Sequence, residues 1–210
     1  MNRLELVKRL RQEAGVAGTG PTTTLNQTGE LKRLVDWIDG AWNDLQQKHN
    51  WDFLWESATV TITSGTYLTA GTIPARRYVK DGVYQSSTPI SYMPWAEFRT
   101  AYPAALIADG TPGAWSIRPD NAFVVNAKPT ANTDYTVERY KNPVVMDEDA
   151  DTPALPAEHH MIIVWHALML YCNFEEAGVS RLTAEAEYHR HAQALGLNQL
   201  PDFIHGAPLC

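Results

Sequence analysis

Apolar residues are spread unevenly along this chain of 210 residues, and the spacing between them changes twice. Residues 155–178, LPAEHHMIIVWHALMLYCNFEEAG, form the densest run. The pattern predicts one helix there: Pro156 suits a first turn, Glu158 complements the positive helix end and Gly178 supplies a stop. Residues 161–165 and 167–172 are apolar on every side, so this helix is expected to be surrounded by other elements. A membrane span needs about 20 uncharged apolar residues. His159, His160, His166, Glu175 and Glu176 leave too few, so a buried central helix is expected instead.

Helical spacing also governs both flanks. Leu4, Val7 and Leu10 fall on one side of residues 1–13, with Gly15 as a stop. Over residues 30–49, Leu31, Leu34, Val35, Ile38, Ala41, Trp42 and Leu45 trace a face wide enough to cover the central helix. Ser180 is placed to cap a further helix running to Leu195, with Gly196 ending it.

Between these segments the period falls to two. Strands are predicted over residues 57–63, 67–69, 113–118, 122–128 and 135–140, with Val79, Val83, Tyr84, Ile90 and Tyr92 in shorter ones. Turn signals stand at Ser64-Gly65, Ala70-Gly71, Lys80-Asp81-Gly82 and Pro89, and Trp95, Phe98 and Tyr102 mark a small helix over 94–102. The expected class is therefore α+β. Residues 1–56 and 150–196 would make a helical bundle of about four helices, and residues 57–149 an inserted small antiparallel β domain with an acidic return linker. Residues 197–210, LNQLPDFIHGAPLC, have no period, and Pro201, Gly206 and Pro208 keep them extended. Leu200, Phe203, Ile204 and Leu209 have no core of their own to enter, so this tail is expected to pack on its own subunit or dock into another protein.

Composition changes this picture little: 44% hydrophobic and 20% charged residues are ordinary for a soluble globular chain. The charged start lacks the apolar core of a secretory leader, so synthesis and folding in a cytoplasm are expected. Cys172 and Cys210 make neither a disulfide framework nor a metal spacing. Charge is more informative. From Asn142 onward ten acids face only Arg181 and Arg190, a balance of -8, while the first 141 residues stand at +1 within the total of -7. Clustered bases for binding a nucleic-acid backbone are thus absent. The acidic third suits a basic partner, a passage through which DNA slides without sticking, or simple solubility.

No pattern of residues requires a catalytic, cofactor or metal role. The glycines of residues 15–29 lack the Gly-Lys-Ser/Thr ending and the preceding strand of a phosphate loop. Residues 147–151, DEDAD, lack the glycine and closing Glu of a calcium loop and are expected to be a solvated charge run. His159, His160 and His166 on one helix and His189 and His191 on another permit a two-helix metal site geometrically. Without His-Glu-x-x-His, helix-end and surface histidines are the simpler expectation. Trp95 and Trp115 in the β region raise a second class of function, a stand-alone module binding glycans on aromatic platforms, although core roles explain most tryptophans.

The order of the pieces carries a resemblance. An amphipathic helix is followed by one ending in Trp51-Asp52-Phe53-Leu54. A β region then holds Gly110-Thr111-Pro112-Gly113-Ala114-Trp115 and Tyr135-Thr136-Val137-Glu138-Arg139-Tyr140, and Asp151-Thr152-Pro153-Ala154-Leu155-Pro156-Ala157-Glu158-His159 opens a long helix. Over nearly its whole length the chain resembles the head-to-tail adaptor (connector) proteins of tailed bacteriophages, of the type with a β domain set into a helical bundle. The resemblance implies a non-enzymatic virion protein of the neck, present as a ring of about twelve copies beneath the portal protein. It implies an extended DNA channel and a platform for tail tube, nozzle or tail-fibre proteins, with no cofactor and no membrane. Carried onto this sequence, Leu200, Pro201, Phe203, Ile204 and Leu209 are expected to contact the portal. Glu175, Glu176, Glu185 and Glu187 are expected to line a channel that repels the phosphate backbone of passing DNA.

Overall fold

The computed structural model of the chain describes residues 1–16, 18, 20–176 and 178–200. Five α-helices occur among them: α1 (Arg3–Glu13), α2 (Gly29–Lys48), α3 (Trp95–Ala101), α4 (Met161–Phe174) and α5 (Gly178–Gln199). The strands are β1 (Trp55–Ile62), β2 (Leu68–Thr72), β3 (Arg77–Gln85), β4 (Thr88–Pro89), β5 (Ser91–Tyr92), β6 (Ala114–Ile117), β7 (Ala122–Val125) and β8 (Thr133–Tyr140). The α+β class holds. The chain divides into two compact units, one formed by Met1–Leu54 with the described residues from Pro143 on, the other by Trp55–Asn142.

In the helical unit, α1 opens with a reciprocal cap. Asn2 Oδ1 accepts from the Glu5 amide at 2.9 Å while Glu5 Oε2 accepts from the Asn2 amide at 3.0 Å, an arrangement contributing about 1 kcal/mol. Leu6, Val7 and Leu10 are buried, as are Leu34, Val35, Ile38, Ala41, Trp42 and Leu45 of α2. α4 packs against α1, α2 and α5, which accounts for its apolar character on every side. Its bounds differ from those the sequence predicts. Pro156 precedes a separate 3-10 turn, Ala157–His159, and the break after Phe174 is made by Glu176 in the left-handed conformation at φ 56°. Gly178 begins α5 instead of ending α4. Gly196 is not a stop either: α5 runs through it to Gln199, and the Leu200 amide donates to Gly196 O at 3.1 Å. Residues 197–199, expected in the tail, are thus helical.

The acidic stretch after Asn142 is solvated, with Asp147 and Glu148 exposed, but it does not hang free. It is strapped to the helices of its own unit by hydrogen bonds that its charges and backbone supply. Val144 O accepts from Trp42 Nε1 at 2.7 Å, and its amide donates to Gln46 Oε1 at 2.8 Å. Asp149 Oδ1 accepts from the Thr24 amide and hydroxyl at 2.6 and 2.5 Å, and Asp151 O accepts from the Arg3 amide at 2.8 Å. The buried Arg3 side chain donates to both carboxylate oxygens of Asp39, at 3.0 and 2.5 Å, and to Asp147 O at 2.7 Å. The Asp39 partnership raises the Arg3 pKa, and hydrogen bonds from Thr23 and Thr24 hold Asp149 below the usual carboxylate range.

The β unit consists of two four-stranded sheets, ordered β1-β8-β3-β4 and β2-β7-β6-β5. β1 and β8 pair antiparallel without a break from Trp55↔Tyr140 to Ile62↔Thr133. The sheets share one core, to which Val60, Val83, Tyr135 and Val137 come from the first and Trp115, Phe123 and Val125 from the second. Two expectations are corrected here. The unit is not wholly antiparallel, because β5 runs parallel to β6. Lys80-Asp81-Gly82 is no turn but an irregularity inside β3, where its register against β8 shifts between Tyr78 and Val83. Gly82 is required there, since a Cβ would lie 2.7 Å from Glu138 Cβ and 2.9 Å from Val79 Cβ.

Candidate docking surfaces

Burial decides which residues of the helical unit are free to meet a partner. On α5, Ala184, Tyr188 and Leu195 are buried, and a 100° step per residue puts Leu182, Ala186, Gln193 and Leu197 on the opposite side. Leu182 is 69% exposed and Leu197 87%, so this helix turns apolar side chains outward at both ends. Phe174 at the end of α4 is half exposed, resting beside Trp37 at 5.8 Å with the Arg33 guanidinium 4.5 Å from its ring centre. The sequence reading missed these three residues. The signal it had was the weak segregation of apolar residues around residues 180–197, where a one-sided surface helix would keep its leucines together.

Of the residues expected at the portal, Leu200 stands at the end of α5, half-buried. Pro201, Phe203, Ile204 and Leu209 lie outside the described residues. The four carboxylates expected to line a channel are not gathered into one row. Glu175 and Glu176 are exposed in the turn between α4 and α5. Glu185 pairs with Arg181 at 2.8 Å and Glu187 with Arg190 at 2.6 Å along their own helix. Two positions apart on a helix, Glu185 and Glu187 leave it on different sides.

His159 and His160 are buried and His166 half-buried, whereas His189 is exposed. His160 Nδ1 lies 2.6 Å from the Met1 amino nitrogen and its Nε2 3.1 Å from Leu155 O. His166 rests on Tyr188 at 5.2 Å, and the Tyr188 hydroxyl accepts from Lys48 Nζ. Burial pushes His160 and His166 below the ordinary histidine range and Cys172 above the ordinary thiol range. Among the described residues no group of three His, Cys, Asp or Glu side chains is placed to hold a metal ion. In the β unit Trp115 is fully buried, stacked on Phe123 at 5.6 Å, so it offers no platform to a sugar. Trp95 on α3 is partly covered and stacks on Phe98 at 6.0 Å. Burial of Tyr135 raises its phenol to about 12.

Leu182, Leu197 and Phe174 are thus among the apolar side chains that the helical unit leaves exposed, and no helix among the described residues is long and apolar enough to cross a membrane. The sequence model of the SU10 adaptor protein family matches residues 1–205, and the chain belongs to that family of phage head–tail adaptors. No curated protein matches it. The family is a structural one of the virion.

Proposed function

We propose that the chain is one subunit of a closed ring of about twelve copies in the phage neck, bound beneath the portal and extending the DNA channel toward the tail. The observation that carries the reading is the pair of uncovered leucines on α5, Leu182 and Leu197, which stand on the side away from its buried Ala184, Tyr188 and Leu195. A ring closes through two different patches on each subunit, and an uncovered helix side supplies one of them. Leu200, Pro201, Phe203, Ile204 and Leu209 anchor the subunit to the portal, and tail tube, nozzle or fibre proteins attach on the far side. DNA passes without specific binding. Glu175 and Glu176, which lack arginine partners among the described residues, suit the channel wall better than the compensated Glu185 and Glu187. The glycan-binding alternative loses its support with Trp115 in the core.

The test is the solution mass of the chain alone and mixed with the portal protein of the same phage, beside a copy ending at Leu200. That end point keeps α5 whole, which a cut after Gly196 would not. A complex with one adaptor per portal subunit, lost on truncation, is the expected result. A complex that survived truncation would remove the anchoring role of the tail and keep the ring. No complex with an assembled portal would remove the proposal.

A further inference from the structure

The end of α5 is fastened close to an uncovered apolar groove. The Phe53 amide donates to Gln199 Oε1 at 3.1 Å, and the Phe53 ring stacks on Trp42 at 5.9 Å. Trp42 in turn lines a groove of about 90 Å³ whose other walls are Asp39, Asn43, Val144, Val145 and Met146. Val144 is 46% exposed and Val145 67%. These valines are held in place, because the Val144 amide and carbonyl are both committed to Gln46 and Trp42. Two adjacent aliphatic residues are thus fixed at the rim of an apolar groove with no described residue covering them.

Chain length and charge select the occupant. Residues 201–210, PDFIHGAPLC, follow Leu200 directly, and an extended chain advances about 3.3 Å per residue. Ile204 therefore reaches about 13 Å from Leu200, and Phe53 touches both Gln199 and Trp42. The groove is smaller than the roughly 150 Å³ apolar cavity that takes a benzene ring. A branched aliphatic side chain fits it better than Phe203. Asp39, the acid at its edge, is already neutralised by Arg3, so the site places no charge against an apolar guest.

We infer that the Trp42–Val145 groove is a seat for the C-terminal segment of the same subunit, with Ile204 entering it and Phe203 lying along the Val145 rim. The seat covers the apolar tail while the subunit is free. It stands independently of what the tail meets in a virion.

A nitroxide on Cys210 tests this in the full chain without any partner, because the second thiol, Cys172, is buried in α4 and is shielded from the label. In a ¹⁵N-labelled sample the Trp42 indole and Val145 amide signals should lose at least half their intensity relative to the reduced nitroxide. Val145→Glu at the exposed rim and Ile204→Asp in the tail should each restore the Trp42 indole signal. Unchanged signals in the original chain would overturn the inference. So would equal losses in a mixture of ¹⁵N chains without label and labelled ¹⁴N chains, which would make the guest a second copy. Loss that persisted in both variants would likewise overturn it.

Discussion

Two single residues carry disproportionate weight in the separate units. Gly82 sits where β3 shifts register, and a methyl group there would have to displace Glu138 or the Val79 side chain. Gly82→Ala is expected to cost about 1–3 kcal/mol of stability, read as a lowered thermal midpoint of the β unit; an unchanged midpoint would mean the shift is soft. Arg3 joins α1, α2 and the acidic strap through Asp39, Thr24 and Asp147. Removing one partner of a buried ion pair costs about 3–5 kcal/mol, and Asp39 keeps 27% of its side-chain surface in water, so Arg3→Met is expected near 2 kcal/mol. Urea denaturation of the variant, beside Arg3→Met with Asp39→Asn, checks this. The pair of changes should recover part of the loss. At this scale the sequence was least legible. An Asp-Gly pair ordinarily marks a turn, and only the strand partner across from Gly82 reveals a close approach instead. Arg3 looked like one more charge on an amphipathic helix because its partners lie 36 and 144 residues away.

Elements were easier to read where a single period extends over many residues. The buried face of α2 and the packing of α4 against three other helices follow the spacing of their apolar residues closely. The alternation in β8 places Tyr135 and Val137 inward, as period two requires. The ends of α4 and α5 were misread because Gly178 and Gly196 were taken as stops on their identity alone; the stop at Gly15 was right, since that residue adopts the left-handed conformation at φ 69° just past α1. Glu176 does the same after α4, while Gly178 and Gly196 lie within α5. Gly196→Ala makes the difference measurable. Its new methyl would meet only Leu200 Cδ1 at 3.9 Å, and a helix-interior alanine is favoured over glycine by about 0.5–1 kcal/mol. We expect a small rise in the thermal midpoint, and a fall would restore Gly196 as a terminator. Of the docking surface, the apolar tail was visible in the sequence, but Leu182 and Leu197 were not, since their exposure depends on which side of α5 faces α4.

For the molecule as a whole, pH acts through groups that folding has shielded. His160 and His166 are both held below their ordinary range, chiefly by burial. The unfolded chain therefore binds protons more readily, and their contribution is complete above about pH 6.5 and shrinks as pH falls below it toward the folded values. Asp149 and Asp151 are also lowered, by hydrogen bonds, so their contribution persists above the ordinary carboxylate range and fades only in stronger acid. Urea midpoints of the helical unit should thus drop between pH 7.5 and pH 5.5, and fall again below pH 4. A flat profile over the upper interval would show that neither histidine is withheld from solvent.

The helical unit is assembled from two stretches of chain that leave the ribosome far apart in time. α1 and α2 emerge early, but the helix against which both pack, α4, starts only at Met161. Translation at about 5–20 residues per second delays that helix by on the order of ten seconds. Throughout that interval Leu34, Ile38 and Leu45 have no α4 to cover them. The strands from Trp55 to Asn142 are complete before it ends. Nascent chains of this protein should therefore engage chaperones through the α2 segment, and release should coincide with the emergence of Phe174.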